Sequence, residues 1–540
     1  MKLSCASVGP SLRVLALVSA VWCASASALA ADAPREPHLF DVLEYRVEGN
    51  SLLDDQAIER AVMPHMGPGQ TLDTVERARQ ALERQYRDAG YLTVLVTIPE
   101  QNVMSGVVAL QVTEAPVSRL RVVGAQYNLP SQIKAGVPEV AEGRVPNFHQ
   151  LQKQLSGVNS RADLRVAPVL KPGKAPGSVE VQLEVDDQLP LHGSVEVNNR
   201  QSLNTTETRL SASLRYDNLW QRGHSASLSL QLSPQDLRET RVLVANYMVP
   251  VGREGDAVSV YGVVSRSRFA SIFNSPGLSV LGNNDVLGVR YALALEGSDR
   301  YAHSMSFGFD HKRVLQSVGL DGSFDDSPAI RYTPLAANYR GTWLNQGVPQ
   351  SILDVTAITG LRRFLGDDDE AFDARRAGAS SSFMALRTGL QWMRDWGRWP
   401  FVARLDAQLA SGPLLSSEQY SAGGADTVRG YFEGERAGDQ ALRVSLELAT
   451  PTYRIDPQAG LWRVSGLVFA DSAVLHVIDA GLGESSRYRL GSFGTGLRLS
   501  GPRGMSLSFD LARALSDGDV AGGGTREGDW RAHLRWVMEF

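Results

Sequence analysis

The chain has 540 residues and is mildly acidic, with 54 Lys and Arg against 59 Asp and Glu, and nothing in that balance points to nucleic acid as a partner. Its 43% apolar content with 51 glycines is ordinary for a globular protein. Beyond the leader no apolar run reaches about 18 residues, which excludes helical membrane spans but not a barrel, whose hydrophobicity lies on alternate residues.

The first 30 residues read as a secretory signal peptide. Lys2 and Arg13 flank its start, an apolar run from Val14 to Trp22 follows, and Ala28-Leu29-Ala30 forms a small-x-small cleavage site. Both cysteines, Cys5 and Cys23, fall inside this segment, so the exported chain is expected to have neither disulfides nor a thiol nucleophile. A lipoprotein leader is disfavoured because Val21-Trp22 before Cys23 are too bulky for lipid attachment. Residues 31–40, with Pro34 and Pro37, form a short lead.

Residues 41–115 show the order strand, two helices, two strands. Val42–Val47 lead into Gly49-Asn50; Asp54–Met63 and Leu72–Ala89 carry helical spacing, notably Val75, Ala78, Leu82 and Tyr86; Thr93–Ile98 and Val107–Val112 alternate as strands. Residues 116–188 repeat the order, with Leu120–Val123 before Gly124, helical segments Leu129–Val137 and Phe148–Leu155, and strands Leu164–Val169 and Val179–Val185. Val47-Glu48-Gly49 and Val122-Val123-Gly124 occupy matching positions. One α+β domain would also fit, but the repeated order favours two small ones, each with a sheet edge open to strand addition.

From residue 189 onward the chain reads as sixteen strands: 191–200, 208–220, 224–234, 240–251, 257–269, 286–296, 301–313, 331–345, 351–363, 382–395, 399–411, 441–454, 461–472, 488–500, 505–515 and 529–540. Connections after even-numbered strands are short, such as Gln221-Arg222-Gly223 and Gly397. Those after odd-numbered strands are mostly long, including 270–285, 314–330, 364–381, 412–440 and 473–487. A soluble sandwich has no reason to sort loops by strand parity, whereas a transmembrane barrel has tight turns on one side, long loops on the other and an even strand number. Backbone groups inside lipid must be paired, so the sheet closes.

Alternation assigns the two faces. In strand 11 Phe401, Ala403, Leu405, Ala407 and Leu409 turn to lipid, and Arg404, Asp406 and Gln408 to the lumen; strand 12 turns Leu442, Val444, Leu446 and Leu448 outward and Arg443 and Glu447 inward. In the last strand Trp530, Ala532, Leu534, Trp536, Met538 and Phe540 share the outward face, with Val537 apolar on the other. By the same count Phe469 and Asp471 of strand 13 face the lumen, and Trp462, Val464 and Val468 face lipid.

The longest connection carries Ser421-Ala422-Gly423-Gly424-Ala425-Asp426-Thr427-Val428-Arg429-Gly430-Tyr431-Phe432-Glu433-Gly434. It lacks the Gly-x4-Gly-Lys-Ser/Thr pattern and the strand-loop-helix setting of a phosphate-binding loop. Enzyme chemistry is not expected. No His-Glu-x-x-His stretch occurs, and neither Ser485-Ser486 nor Gly522-Gly523-Gly524-Thr525 has a histidine or nucleophile elbow beside it. Asp367-Asp368-Asp369-Glu370 reads as a solvated acidic cluster of an outer loop, at most a loose calcium site. No cofactor or metal is expected.

A leader, two small strand-helix-helix-strand-strand repeats, a sixteen-strand barrel, Val428-Arg429-Gly430-Tyr431 between strands 11 and 12, and terminal Phe540 together resemble the two-partner secretion transporters of the Omp85 superfamily. The resemblance covers nearly all of residues 31–540. It implies two POTRA domains, 41–115 and 116–188, followed by a transmembrane barrel, 189–540, in the outer membrane of a Gram-negative bacterium, with the POTRA domains in the periplasm. It further implies that loop 412–440 folds into the barrel, where Arg429 meets Asp471 of a Phe-x-Asp-x-Gly motif on strand 13. Here the motif reads Phe469-Ala470-Asp471-Ser472-Ala473, with Ala473 where the family usually has glycine.

The implied function is secretion, and assistance in activation, of a large β-helical exoprotein of hemolysin, adhesin or contact-toxin type. Its N-terminal secretion domain would meet the POTRA domains. Outer-membrane lipid, the barrel assembly machinery and periplasmic chaperones are the other implied partners, with Phe540 as part of the barrel assembly signal. Alternatives are an Omp85-type barrel assembly factor, which usually carries more repeats, and a passive porin, which has no use for them. Many family members thread a helix through the barrel. Ala31–Phe40 gives at most about 15 Å of helix, half of a roughly 30 Å crossing, so no such plug is expected here.

Overall fold

The computed structural model describes residues 39–540 except 160, 162, 253–254, 268, 272–278, 282, 317–328, 456–461, 482–483 and 520–522. The expected leader and all but Leu39-Phe40 of the short lead lie outside the described residues.

The first repeat forms as its spacing predicts. Helices Asp55–Val62 and Leu72–Asp88 pack on a three-stranded sheet in which central strand Val107–Glu114 pairs in parallel with Glu44–Glu48 and antiparallel with Val94–Thr97. Val75, Ala78, Leu82 and Tyr86 are the buried stripe of the longer helix, and three of them join Val94, Val96, Val108, Leu110 and Val112 in one core. Asp54 caps the first helix, its carboxylate accepting the Ala57 N–H at 2.8 Å. A two-stranded ribbon not expected from the sequence pairs Phe40–Val42 with Gly67–Gln70. Glycine and proline occupy three of those four latter positions, so no alternating pattern marks them.

The second repeat carries helices Pro130–Ala135 and Phe148–Val158 and a three-stranded sheet with Val179–Asp187 central between Val117–Val123 and Leu164–Pro172. The glycines at matching positions do the same work in both. A Cβ on Gly49 would lie 2.4 Å from the Val112 carbonyl oxygen, and one on Gly124 would lie 2.2 Å from that of Val185. Both have positive φ, +82° and +94°. After Gly124, Asp187 accepts hydrogen bonds from the backbone of Gln126, Tyr127 and Asn128 and from the Asn128 side chain. Burial opposes the charge on Asp187, but these bonds outweigh it and hold the carboxyl below its ordinary range.

Among the described residues sixteen long antiparallel strands close into a barrel, which we number 1 to 16. They are Leu191–Asn198, Arg209–Leu219, His224–Leu232, Thr240–Pro250, Ala257–Ser267, Asn283–Ala294, Tyr301–Gln316, Leu335–Asn345, Val348–Thr359, Met384–Trp396, Trp399–Ala410, Gln440–Ala449, Arg463–His476, Arg487–Ser500, Ser506–Ala514 and Trp530–Glu539. Two expected strands are interrupted, both at proline. Strand 8 is preceded by a separate Ile330–Tyr332 with Pro334 between, and strand 12 stops at Ala449 before Pro451, with Tyr453–Arg454 pairing on its own. Proline has no N–H for the ladder, so pairing breaks where it falls.

The faces follow the alternation. Leu405, Leu409, Leu442, Leu446, Val468 and Leu534 are exposed on the outside, while Gln408, Arg443, Asp471 and His533 are buried within. Val537, the one apolar residue of the inward set in strand 16, is also buried. Exposed Trp220, Trp343, Trp396, Trp399 and Trp462 gather near the short-turn side, the position of an interfacial aromatic girdle. The outer acidic cluster is more ordered than expected. Asp368 caps a helix, Asp369–Arg375, by accepting from Ala371 N–H, and Asp369 accepts from Ser380 and Ser381. No group of side chains suited to a metal occurs among the described residues.

Candidate functional site: an inward loop held against strand 13

Within loop 411–439 a hairpin forms, Tyr420–Ala422 paired with Arg436–Gly438, and its tip turns into the lumen. Arg429 stands at that tip. Its Nε and Nη2 donate to the two oxygens of Asp471 at 2.7 and 2.8 Å, and its backbone N–H reaches the same carboxylate at 3.2 Å. The remaining guanidinium nitrogen, Nη1, lies 2.7 Å from Glu447, and the guanidinium carbon sits 3.5 Å from the centre of the Phe469 ring. Ser445 donates to Asp471 at 2.6 Å. Arg429 and Asp471 are buried, so a two-point ion pair, a second carboxylate and an aromatic face fix the guanidinium plane.

The rest of the motif anchors the tip on either side of Arg429. Val428 and Tyr431 are fully buried against Ala473, Leu475, Leu490 and Ala514. The Tyr431 hydroxyl lies 2.9 and 2.8 Å from the carbonyls of Gly491 and Ser516, and accepts from the Gly491 N–H at 3.2 Å. Gly430 adopts φ +95°, a conformation that side chains rarely take, and its N–H donates to His533 Nε2 at 2.9 Å. Ala473, which departs from the family pattern, is accommodated without a break. Strand 13 stays in continuous register with strand 14 from Arg463–Ser500 to His476–Arg487, and the methyl of Ala473 is buried under the loop.

Several groups in this network were not singled out by sequence. Parity assigns Glu447 to the lumen, but nothing in the sequence links it to Arg429. Glu435 accepts from Asp519 N–H, Thr525 N–H and the Thr525 hydroxyl, which gives the loop threonine after Gly524 a fastening role. Asp439, fully buried where the loop re-enters strand 12, accepts both Nη groups of Arg376 at 2.6 Å together with the N–H groups of Leu414 and Ile478. Its partners come from three separate outer connections, so no local spacing could reveal them. Phe540, at the other end of the barrel, exchanges both backbone hydrogen bonds with Gly193 at 2.8 and 2.9 Å.

A closed even-stranded barrel with an apolar exterior, preceded by small α+β modules and entered by one of its own outer loops, defines an outer-membrane β-barrel of the Omp85 type with a periplasmic module region. The description haemolysin secretion/activation protein ShlB/FhaC/HecB matches residues 177–499, and POTRA domain, ShlB-type, matches residues 40–115. The chain therefore belongs to the ShlB/FhaC/HecB family of outer-membrane transporters, which secrete and activate a large exoprotein by two-partner secretion. An outer membrane transporter CdiB of Escherichia coli O6:K15:H31 is 24% identical over 86% of this chain and 79% of its own length; one of Dickeya dadantii is 21% identical over 79% and 75%. Among solved structures, CdiB from Escherichia coli superposes with TM-score 0.64 at 20% identity, covering 94% of this chain and 92% of that one. BamA from Haemophilus ducreyi lacking POTRA domains 1–3 gives 0.55 at 15%, covering 93% and 100%, a likeness of fold.

Proposed function

We propose that this transporter moves one unfolded exoprotein from the periplasm to the cell surface through the barrel lumen, with the Arg429–Asp471 pair as the lock that fixes the inward loop. In this reading residues 41–115 and 116–188 are two POTRA domains and residues 189–540 the barrel. The cargo is a large β-helical protein of hemolysin, adhesin or contact-toxin type. Its N-terminal secretion domain adds as an extended strand to a sheet edge, for which the first repeat offers the edge strands Glu44–Glu48 and Val94–Thr97, the latter with its Val96 carbonyl already accepting from Arg79 at 3.1 Å. Folding of the cargo outside biases its direction without nucleotide hydrolysis. Phe540 contributes to the signal read by the barrel assembly machinery, and periplasmic chaperones escort both chains.

The observation that carries the reading is the fit of Arg429 between Asp471, Glu447 and Phe469. Desolvation offsets much of the attraction within a buried ion pair, and Arg429 keeps Glu447 at 2.7 Å when Asp471 is removed, so the value of the Asp471 contact here is positional. Two-point pairing gives a long, glycine-rich loop one position on the wall. Replacing Asp471→Ala is expected to leave the barrel folded, as judged by heat-modifiable gel mobility, while partner protein in the medium falls. Undiminished export by a folded variant rejects the lock.

A further inference from the structure

The lipid-facing side of strands 6–11 is not an even apolar wall. One cross-strand row runs Tyr291, Phe307, Ala337, Ala357, Leu386 and Leu409, each directly opposite the next. Large side chains flank two methyls, so the row dips over strands 8 and 9, and an apolar groove of about 870 Å³ opens there on the outside of the barrel. Two strands are roughly 10 Å across. Thr359 and Ser411 line the end of the groove next to the long connections 360–383 and 411–439, which places it in the outer leaflet.

Above the groove the same face turns basic. Val314, Ile330 and Tyr332 are buried inward and Lys312 reaches Glu418 in the lumen, so Arg313 and Arg331 point outward, and the two are direct cross-strand partners. Thr240, Val242, Ser265 and Ser267 are buried likewise, which turns Arg241 and Arg266, also direct partners, to the outside. Like charges set directly opposite each other on one face repel. The carboxylates at this level leave the repulsion standing. Asp285 pairs with Arg266 at 2.8 Å, and Asp367 accepts the Arg331 backbone N–H at 2.7 Å; among the described residues no ion pair reaches the guanidinium groups of Arg241, Arg313 or Arg331. Phe309 of the groove lies on the same face four residues below Arg313, about 13 Å along the strand.

We propose that this face binds a phosphorylated, multiply acylated lipid of the outer leaflet, its acyl chains in the groove and a phosphate bridging Arg313 and Arg331. A phosphate offers each guanidinium paired oxygens and cancels the repulsion between them. The chains leave one apolar medium for another, so the groove contributes fit and the headgroup contributes most of the preference over other lipids. A second copy of the chain fits this face poorly. A two-fold contact sets a patch against itself, and this patch carries a surplus of positive charge. The site lies outside the lumen and depends neither on the exoprotein carried nor on the lock of Arg429.

The test uses the purified full-length protein in nonionic detergent, with diphosphoryl lipid A as the probe and native mass spectrometry to count bound lipid. One lipid per chain is expected to stay bound, and an excess of inorganic phosphate to leave it in place. Arg313→Gln with Arg331→Gln is expected to lower the retained fraction about tenfold or more, the loss of a charge-assisted contact. Ala337→Leu with Ala357→Leu fills the groove, keeps the charges and is expected to lower retention as well. The dephosphorylated form of the probe should bind the wild type as weakly as the intact probe binds the arginine variant. Heat-modifiable mobility verifies folding, and Arg331→Gln alone serves if the double arginine variant does not fold. Undiminished retention by a folded arginine or groove variant, displacement by inorganic phosphate, or a protein dimer in place of the lipid adduct overturns the site. None of these results touches the Asp471→Ala test of the lock.

Discussion

The two halves of the lumen are built on opposite plans. Along strands 11–16 the inward loop fills the space, and its charges are buried and held at two or more points: Arg429 by Asp471 and Glu447, Arg443 by Asp406 and the Thr427 carbonyl. Along strands 4–10 a cavity of about 660 Å³ opens among Asn246, Tyr261, Arg290, Asn338, Arg340 and Asp354, and the inward loop touches this side at Glu418, which pairs with Lys312 and Arg387. Ion pairs there are mixed: Arg290–Asp310 is tight at 2.7 Å, whereas Arg340–Asp354 stands at 3.9 Å with both side chains more than 40% exposed. The packed half resists rearrangement until its buried charges part; the open half offers a wet surface along which an unfolded chain can slide.

The difference predicts graded effects of single substitutions. The largest belongs to Asp439→Ala. That carboxylate is the shared acceptor of three outer connections, and its loss leaves Arg376 facing buried N–H groups without an anion. Breaking such a buried pair from one side costs about 3–5 kcal/mol. The expected readouts are a clearly lowered heat-modification temperature and new protease cleavage of residues 360–383 on intact cells. A shift no larger than that of an open-half variant erases the contrast. Tyr431→Phe comes next. It keeps the ring in its apolar seat but removes the hydroxyl that serves Gly491 and Ser516, at about 1–3 kcal/mol for the groups left unpaired. It is expected to loosen the loop, seen as higher conductance in a folded barrel, without exposing the outer connections to protease.

How much of this was legible in the sequence depends on the range of the interaction that decides each feature. Strand parity is local, so the lumen positions of Asp471, Arg443 and Glu447 and the lipid positions of Leu405 and Leu442 followed from alternation alone. The helices of the first repeat were equally readable, because Val75, Ala78, Leu82 and Tyr86 sit on one face by spacing. The strand breaks at Pro334 and Pro451 had a local cause, a missing N–H, that counting apolar residues overlooked. The pairing of Arg429 with Asp471 came from the family motif, with parity only permitting it. Beyond reach were Asp439 with Arg376 and Gly430 with His533, since the partners are separated by 63 and 103 residues and meet only after the barrel closes. The Asp367–Glu370 cluster shows the converse. Its composition suggests solvated charge, and Asp368 and Asp369 do stay 40% and 35% exposed, but their oxygens also cap a helix and brace the serines after it, which composition does not show.

The smallest effect on stability is expected from Arg340→Ala, and it is the sharpest check of the open half. Arg340 and Asp354 are hydrated and 3.9 Å apart, a geometry in which the pair contributes about 0–1 kcal/mol, so the heat-modification temperature should hardly move. Conduction should respond differently, because Arg340 lines the cavity and its charge is not neutralised at contact distance. Removing one positive charge from a polar lumen wall makes the pore more favourable to cations, which a shift in reversal potential under a salt gradient would register. The same measurement on Asp439→Ala should show the reverse balance, a large loss of stability and little change in selectivity, because that carboxylate is fully buried and does not meet permeating ions. If Arg340→Ala destabilises the barrel as much as Asp439→Ala does, the open half is not a passive wall and its charges bear structure as those under the loop do.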